Sequence, residues 1–263
     1  MPQTVHLDST PSALHKSPHP VDSCSRCTNC GMQQRCLPAG LSETDTRRLD
    51  SIVVRQRVWR NDLLYRMGDR FASIYVVRLG HFKTYQVNAE GVEQITGFPM
   101  SGDFLGMDAI GAGRHPSFAV ALEDSELCEI PFARLETLFS EMPALLRRFH
   151  RSLGQEISRE QSSMLLMGNL RAEQRFASFL VNVSRNYRAR GYSPTSFVLR
   201  MTRQDIGNYL GLTIESISRL LTKFAQHRLD QGQPARNRIA RPAGAYVFGN
   251  AKELLLIVIT RKL

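Results

Sequence analysis

Apolar and polar positions change period along the chain, and the changes divide it into regions. From about Ile52 to Glu129 the apolar residues fall in short β-rich runs: Ile52–Val58, Ser73–Val77, Phe82–Val87, Glu93–Phe98 and Phe118–Leu122. Glycines interrupt them throughout, from Gly68 to Gly113. Many short strands at regular spacing predict a β-barrel or sandwich. From about Ser140 to Met167 the period becomes helical, with Pro143 suited to a first helical turn. Asn169 to Arg190 predicts another helix, stopped by Gly191 and Pro194. A compact two-helix motif then runs from Thr202 to Phe224. The fold class expected is α+β.

In the long helix, His150, Leu153, Ile157, Glu160, Met164 and Met167 recur at alternating steps of three and four. That is the spacing of a two-stranded seam. The competing use of such a stripe is packing on the chain's own β-domain, for which Leu146 and Phe149 lie on an adjacent face. Glu160 is the odd member. Across a two-fold axis it would face its own copy, and two desolvating carboxylates repel. A seam weakened in this way gives a marginal dimer, suited to a switch.

The two-helix motif carries capping signals. Thr202 is an N-cap with Asp205 three residues on, Gly211 makes the turn, and Thr213 can cap the second helix. Ile206 and Leu210 form the buried side of the first helix. On the second, Ile217, Leu220, Leu221 and Phe224 form one apolar stripe, while Glu215, Ser218, Arg219 and Thr222 form a polar one. A helix packed by one face and offering acid, hydroxyl and guanidinium on the other suits a DNA major groove. Arg can bond guanine O6 and N7 together, and Glu can accept from cytosine N4. An ordinary solvated helix with a Glu215–Arg219 ion pair would show the same polar stripe. The tight turn, double capping and basic flank favour DNA.

Composition narrows the classes. The chain has 263 residues, 42% apolar and 22% charged, which excludes wholesale disorder. It holds no run of 18 apolar residues, so no membrane span is expected, and its start has no apolar stretch of the kind a secretory signal needs. Residues 1–23, with Pro2, Pro11, Pro18 and Pro20 among Ser, Thr and His, are expected to be a flexible tail. Net charge is +10, which favours a polyanionic partner. The excess is uneven: residues 223–263 hold eight basic and two acidic side chains. The total charge therefore hints at the partner and does not locate the site.

Four of the five cysteines lie close together, as Cys24-x2-Cys27-x2-Cys30-x5-Cys36, and Cys128 stands far downstream. Without a secretory signal, metal or redox chemistry outranks structural disulfides. The spacing fits a tetrahedral zinc or an iron–sulfur cluster, and by itself would let Cys24, Cys27, Cys30 and Cys36 form a local site. Cys128, in Leu127-Cys128-Glu129-Ile130, alternates like a strand residue and by itself is expected to be core. No second catalytic constellation accompanies the cysteines, so an enzyme is not expected.

These stretches, with Glu93-Gln94-Ile95-Thr96-Gly97-Phe98, Asp108-Ala109-Ile110-Gly111, His115-Pro116-Ser117-Phe118 and Cys128-Glu129-Ile130-Pro131-Phe132, carry a resemblance. Over roughly residues 24–225 the chain resembles the FNR-type, oxygen-responsive branch of the CRP/FNR transcription regulators. The resemblance implies a cysteine-rich loop and cyclic-nucleotide-binding-like β-roll over 24–139, a dimerisation helix over 140–169 and a winged helix-turn-helix domain over 170–263. It implies a [4Fe–4S] cluster on Cys27, Cys30, Cys36 and Cys128, which raises Cys128 from core residue to ligand and leaves Cys24 spare. It places base reading on Glu215, Ser218 and Arg219, and the acidic dimer-helix residue on Glu160. The implied mechanism is oxygen attack on the cluster, conversion to a smaller one, and loss of the dimer and of DNA binding. The implied partners are an inverted-repeat duplex, a second copy when cluster-bound, and RNA polymerase for an activator, all in the cytoplasm. A zinc site or thiol switch on the same architecture is the alternative. Two departures are visible. Where cyclic-nucleotide binders carry an Arg-Ser pair, this chain has His115-Pro116-Ser117-Phe118 with Arg114 nearby, so no cyclic nucleotide is expected. Beyond Phe224, Gly232-Gln233-Pro234 and Pro242-Ala243-Gly244 interrupt the expected wing, before an apolar stretch from Leu254 to Ile259.

Overall fold

The computed structural model describes residues 19–20, 26–194, 196–229 and 245–247. The expected tail, Cys24 and the apolar stretch from Leu254 to Ile259 lie outside the described residues, apart from His19 and Pro20.

Among the described residues, nine short strands build the N-terminal half: β1 (His19–Pro20), β2 (Val54–Val58), β3 (Leu63–Tyr65), β4 (Ser73–Leu79), β5 (Phe82–Val87), β6 (Glu93–Gly97), β7 (Phe104–Leu105), β8 (Phe118–Ala121) and β9 (Ser125–Pro131). They pair antiparallel in two sheets, ordered β1-β2-β9-β4-β7 and β3-β8-β5-β6. Inward residues of both sheets, among them Val58, Val77, Phe82, Leu105 and Leu127, form the core between them. The outer side of the first sheet is covered by helices. Helix α1 (Glu43–Asp50) is capped by Ser42, which accepts from the Asp45 amide at 3.0 Å, and inserts Leu49 beside Ile74 and Ile130.

The helical stretch is two helices rather than one starting at Ser140. Helix α2 (Phe132–Glu141) follows β9 directly, and α3 (Pro143–Asn169) begins at the proline. Met142 between them has φ −129° and ψ 79°, because a residue preceding proline is pushed out of the α region. Leu135, Leu138, Leu145 and Phe149 pack this pair onto the first sheet.

Helix α4 (Ala172–Ala189) opens the C-terminal half. Strand β10 (Ser196–Val198) pairs antiparallel with β11 (Ala245–Val247). The interrupted stretch thus returns to strand directly after Pro242-Ala243-Gly244. Helices α5 (Arg203–Leu210) and α6 (Ile214–Leu229) complete it, around Phe176, Leu180, Ile206, Leu210 and Ile217. Gly211 at φ +61° makes the turn between them, a conformation that glycine adopts without Cβ strain.

The two halves are docked. Lys83 on β5 pairs with Asp205 on α5 at 2.8 Å. The Asn208 side chain completes the edge of β6, accepting from the Ile95 amide at 2.6 Å and donating to the Glu93 carbonyl at 2.8 Å. Among the described residues no helix is long and apolar enough to cross a membrane.

Candidate cysteine site and nucleic-acid interface

Cys27 opens the short helical turn Cys27–Asn29, and Cys30 and Cys36 directly follow that turn and the turn Gln33–Arg35. Cys128 stands in the middle of β9, in register with Arg55 on β2 and Val76 on β4. All four side chains line one cavity, walled by Leu37, Leu49, Val53, Val76 and Ile130. The loop is tied to α1, β2 and α3 at several points. The Cys27 amide donates to Asp50 Oδ1 at 3.1 Å, Asp50 pairs with Arg55, and Arg55 Nη2 approaches Cys27 Sγ at 3.7 Å. Arg148 on α3 donates through Nε to the Cys36 carbonyl at 3.1 Å.

Burial pushes the Cys36 thiol up to about 12, and repulsion from Cys128 and Cys30 adds to it. Burial raises Cys27 as well, reinforced by Asp50. Neutral thiols are thus favoured until a cation shares the cavity, and taking up a metal would release protons. The donor set is all sulfur in an apolar setting, which suits a thiolate-ligated metal group. The cavity of about 20 Å³ holds little more than one water. Among the described residues no three His, Cys, Asp or Glu side chains converge as ligands of a single ion.

Helix α3 shows two faces. Phe149 is buried against Phe132 and Phe139, with ring centroids 6.2 and 5.0 Å away, and Leu153 is half-buried on the same core. His150, Ile157, Glu160 and Met164 face outward, with Ile157 55% and Met164 71% exposed. Two large apolar side chains are thus left in water on one stripe. Met167 has no described side chain.

The helix-turn-helix has the expected caps. Thr202 Oγ1 accepts from the Asp205 amide at 3.0 Å, and Asp205 accepts from the Thr202 amide at 2.9 Å. Thr213 Oγ1 accepts from the Ser216 amide at 3.3 Å. Ile217, Leu220 and Leu221 are buried, while Glu215, Arg219 and Thr222 are exposed and Ser218 half-exposed. The side chain of Phe224 lies outside the described set. Arg219 reaches Ser216 Oγ at 3.4 Å, and Arg203 on α5 reaches Ser218 Oγ at 3.3 Å. The polar stripe therefore forms an open hydrogen-bonding face, flanked by the Arg203 guanidinium.

At the β-roll stretch of the first departure, Arg114 donates to the Gly68 carbonyl at 2.7 Å. Ser117 donates to Asp108 Oδ2 at 2.9 Å. His115 is buried and stacks on Tyr65 with centroids 3.8 Å apart.

Comparisons with known proteins agree with this architecture. Residues 55–142 match the cyclic nucleotide-binding domain model, and residues 199–229 match the model of bacterial regulatory proteins of the crp family. The chain is 47% identical over 199 residues to the Fumarate and nitrate reduction regulatory protein of Escherichia coli strain K12, covering 75% of this chain and 80% of that one. The Fumarate nitrate reduction regulatory protein of Klebsiella oxytoca matches with the same identity and coverage. Among solved structures, FixK2 from Bradyrhizobium japonicum superimposes with a TM-score of 0.66 at 24% identity, covering 78% of this chain and 96% of that chain. Two sheets on a long helix, a capped helix-turn-helix and relatives of this closeness identify the chain as a member of the CRP/FNR family of transcription regulators, DNA-binding proteins rather than enzymes.

Proposed function

We propose that this regulator senses oxygen through a [4Fe–4S] cluster held by Cys27, Cys30, Cys36 and Cys128, and that the cluster governs dimerisation and promoter binding. The observation that carries it is the convergence of four thiols, from a loop and from a strand some ninety residues apart, on one apolar cavity. Relatives named for fumarate and nitrate reduction support an anaerobic role. When bound, the cluster supplies an oxygen-labile cross-link between the cysteine loop and β9. The residues of the chain supply the rest. Arg148 connects the Cys36 carbonyl to α3, so displacement of the loop alters the support of that helix. Ile157 and Met164 gain buried area by meeting a second copy, and Glu160 opposes that meeting. A bias of ~5.5 kcal/mol moves such an equilibrium from 1:99 to 99:1. The protein is then divided into a loop and β-roll (24–139), a dimer helix (140–169, with α3 itself beginning at Pro143) and a DNA-binding part (170–263) in the cytoplasm.

Anaerobic purification tests this. A brown protein that bleaches in air is expected, and a colourless one carrying a single zinc rejects the reading. Glu160→Ala should strengthen the metal-free dimer about tenfold by relieving a carboxylate pair. Unchanged sedimentation of the variant counts against the seam.

The dimer is expected to bind an inverted repeat with half-site centres about 10–10.5 base pairs apart, and to contact RNA polymerase as an activator. Glu215, Ser218 and Arg219 read the bases. Arg219→Ala should relax specificity at one position per half-site, by about 1–3 kcal/mol, more than it lowers nonspecific affinity. Binding to a panel of single-base variants checks this, and a uniform loss makes Arg219 a phosphate contact. Cyclic nucleotides are not ligands on this reading: Arg114 is engaged elsewhere, and Asp108 puts a carboxylate beside Ser117, where it repels a phosphate.

A further inference from the structure

We propose that Arg35 is a positioning residue that holds the end of α4, and with it the DNA-binding part, only while the cysteine loop is tied to the β-domain. This rests on the cluster reading above and adds a second output to it. Arg35 directly precedes Cys36 and ends the turn Gln33–Arg35. Its Nη1 donates to the carbonyl of Ala189 at 2.9 Å, across 154 residues of sequence. Ala189 is the last residue of α4, where carbonyls lack helical partners and carry the negative end of the helix dipole. A guanidinium is well placed there.

The surroundings make this contact conditional. The next residue, Arg190, is buried, with its side chain only 1% exposed, and pairs with Asp103 at 2.8 Å. Asp103 also accepts from Arg159 of α3 at 3.2 Å, so α3, α4 and the β-domain turn meet at one carboxylate. Arg35 brings a third guanidinium to this cluster, and its charge opposes that of Arg190. Its Nε is buried with no hydrogen-bond partner among the described residues. Repulsion and an unmet donor both favour its departure. Opposing them are the bond to Ala189 and the close seating of the loop. A Cβ on Gly102 would stand 2.8 Å from Met32 Cε and 3.4 Å from Arg35 Cβ, so the loop lies directly on that turn. Arg35 therefore stays where the loop keeps it. A loop freed from β9 gives up this hold, by a route that bypasses the dimer seam. Arg148 is the corresponding arm toward α3.

The test is hydrogen exchange across residues 186–192 of the full chain, in anaerobic cluster-loaded and metal-free protein, with iron, sulfide and sedimentation measured alongside. The amides of Arg190, Gly191 and Tyr192 are hydrogen-bonded at 3.0 Å and report on the α4 end. Wild type should exchange slowly there when loaded and faster when metal-free. Arg35→Ala should keep its iron and its dimer fraction, exchange at the metal-free rate even when loaded, and bind its DNA site about tenfold more weakly. Arg148→Gln should do the converse, shifting the dimer fraction and sparing the exchange. Loaded Arg35→Ala that exchanges like wild type overturns the role of Arg35 alone. Slow exchange persisting in metal-free wild type overturns its dependence on the loop. A wild type that takes up no iron sinks the cluster reading, and with it the conditional part of this proposal.

Discussion

Cys128→Ser is expected to give a folded, colourless protein that assembles no cluster under anaerobic iron and sulfide and stays monomeric. The loss should be near total. Cys128 is the one donor of the proposed set that lies on the sheet, while Cys27, Cys30 and Cys36 all ride on the loop. Without it nothing in the set joins loop to β9, so even a residual cluster on three thiolates would transmit nothing to α3. The fold should survive. Strand β9 is paired on both sides, to β2 and to β4, and serine fits an antiparallel strand. Exchanging a half-buried thiol for a hydroxyl costs about 1 kcal/mol. Iron and sulfide assays, visible absorbance and thermal unfolding measure the three parts. A retained cluster would move the fourth thiolate to Cys24, and a lost fold would make Cys128 a core residue, as its alternation alone implies.

That ambiguity shows where sequence reading stops. The cysteine spacing was legible, and so was the polar stripe of α6, because both are local. Which four cysteines share a site depends on β9 lying between β2 and β4, and strand order is not written in any local period. The run Phe82–Val87 was legible to the residue, since it is long enough to alternate. β3 and β7, with three and two residues, are too short to show a period. The start of α2 is hidden in the sequence because Pro131 and Phe132 continue the apolar run of β9 straight into the helix. No local pattern marks Arg35 or Lys83, because their partners lie 154 and 122 residues away. Asp205 shows itself in the sequence as part of a helix cap and not as the anion that docks the two halves.

Asp205→Ala should consequently cost more than a lost cap, about 2–3 kcal/mol in the stability of the helix-turn-helix half. Asp205 is 8% exposed, and its carboxylate accepts from the Thr202 amide at 2.9 Å, from Thr202 Oγ1 at 2.7 Å and from Lys83 Nζ at 2.8 Å. Alanine removes the reciprocal half of the capping box, leaving the Thr202 amide without its acceptor, and leaves the Lys83 side chain, 22% exposed, without its counterion. Asp205→Asn keeps an acceptor for Thr202 and loses the charge, so it should fall between the two. The pH dependence has a definite sign. Burial alone would raise the Asp205 pKa, but the bonds from Lys83 and Thr202 outweigh it and hold the folded value below the ordinary carboxylate range. Stability from this group is therefore fully present above the unfolded pKa of about 3.9, and is lost as pH falls through the lower folded value. The difference between wild type and Asp205→Ala, followed by calorimetry and by exchange of the α5 amides, should be constant near pH 7 and shrink below about pH 4. A difference that persists unchanged into acid would mean that Asp205 acts through packing rather than charge, and that the Lys83 contact contributes nothing to docking the DNA-binding half on the β-domain.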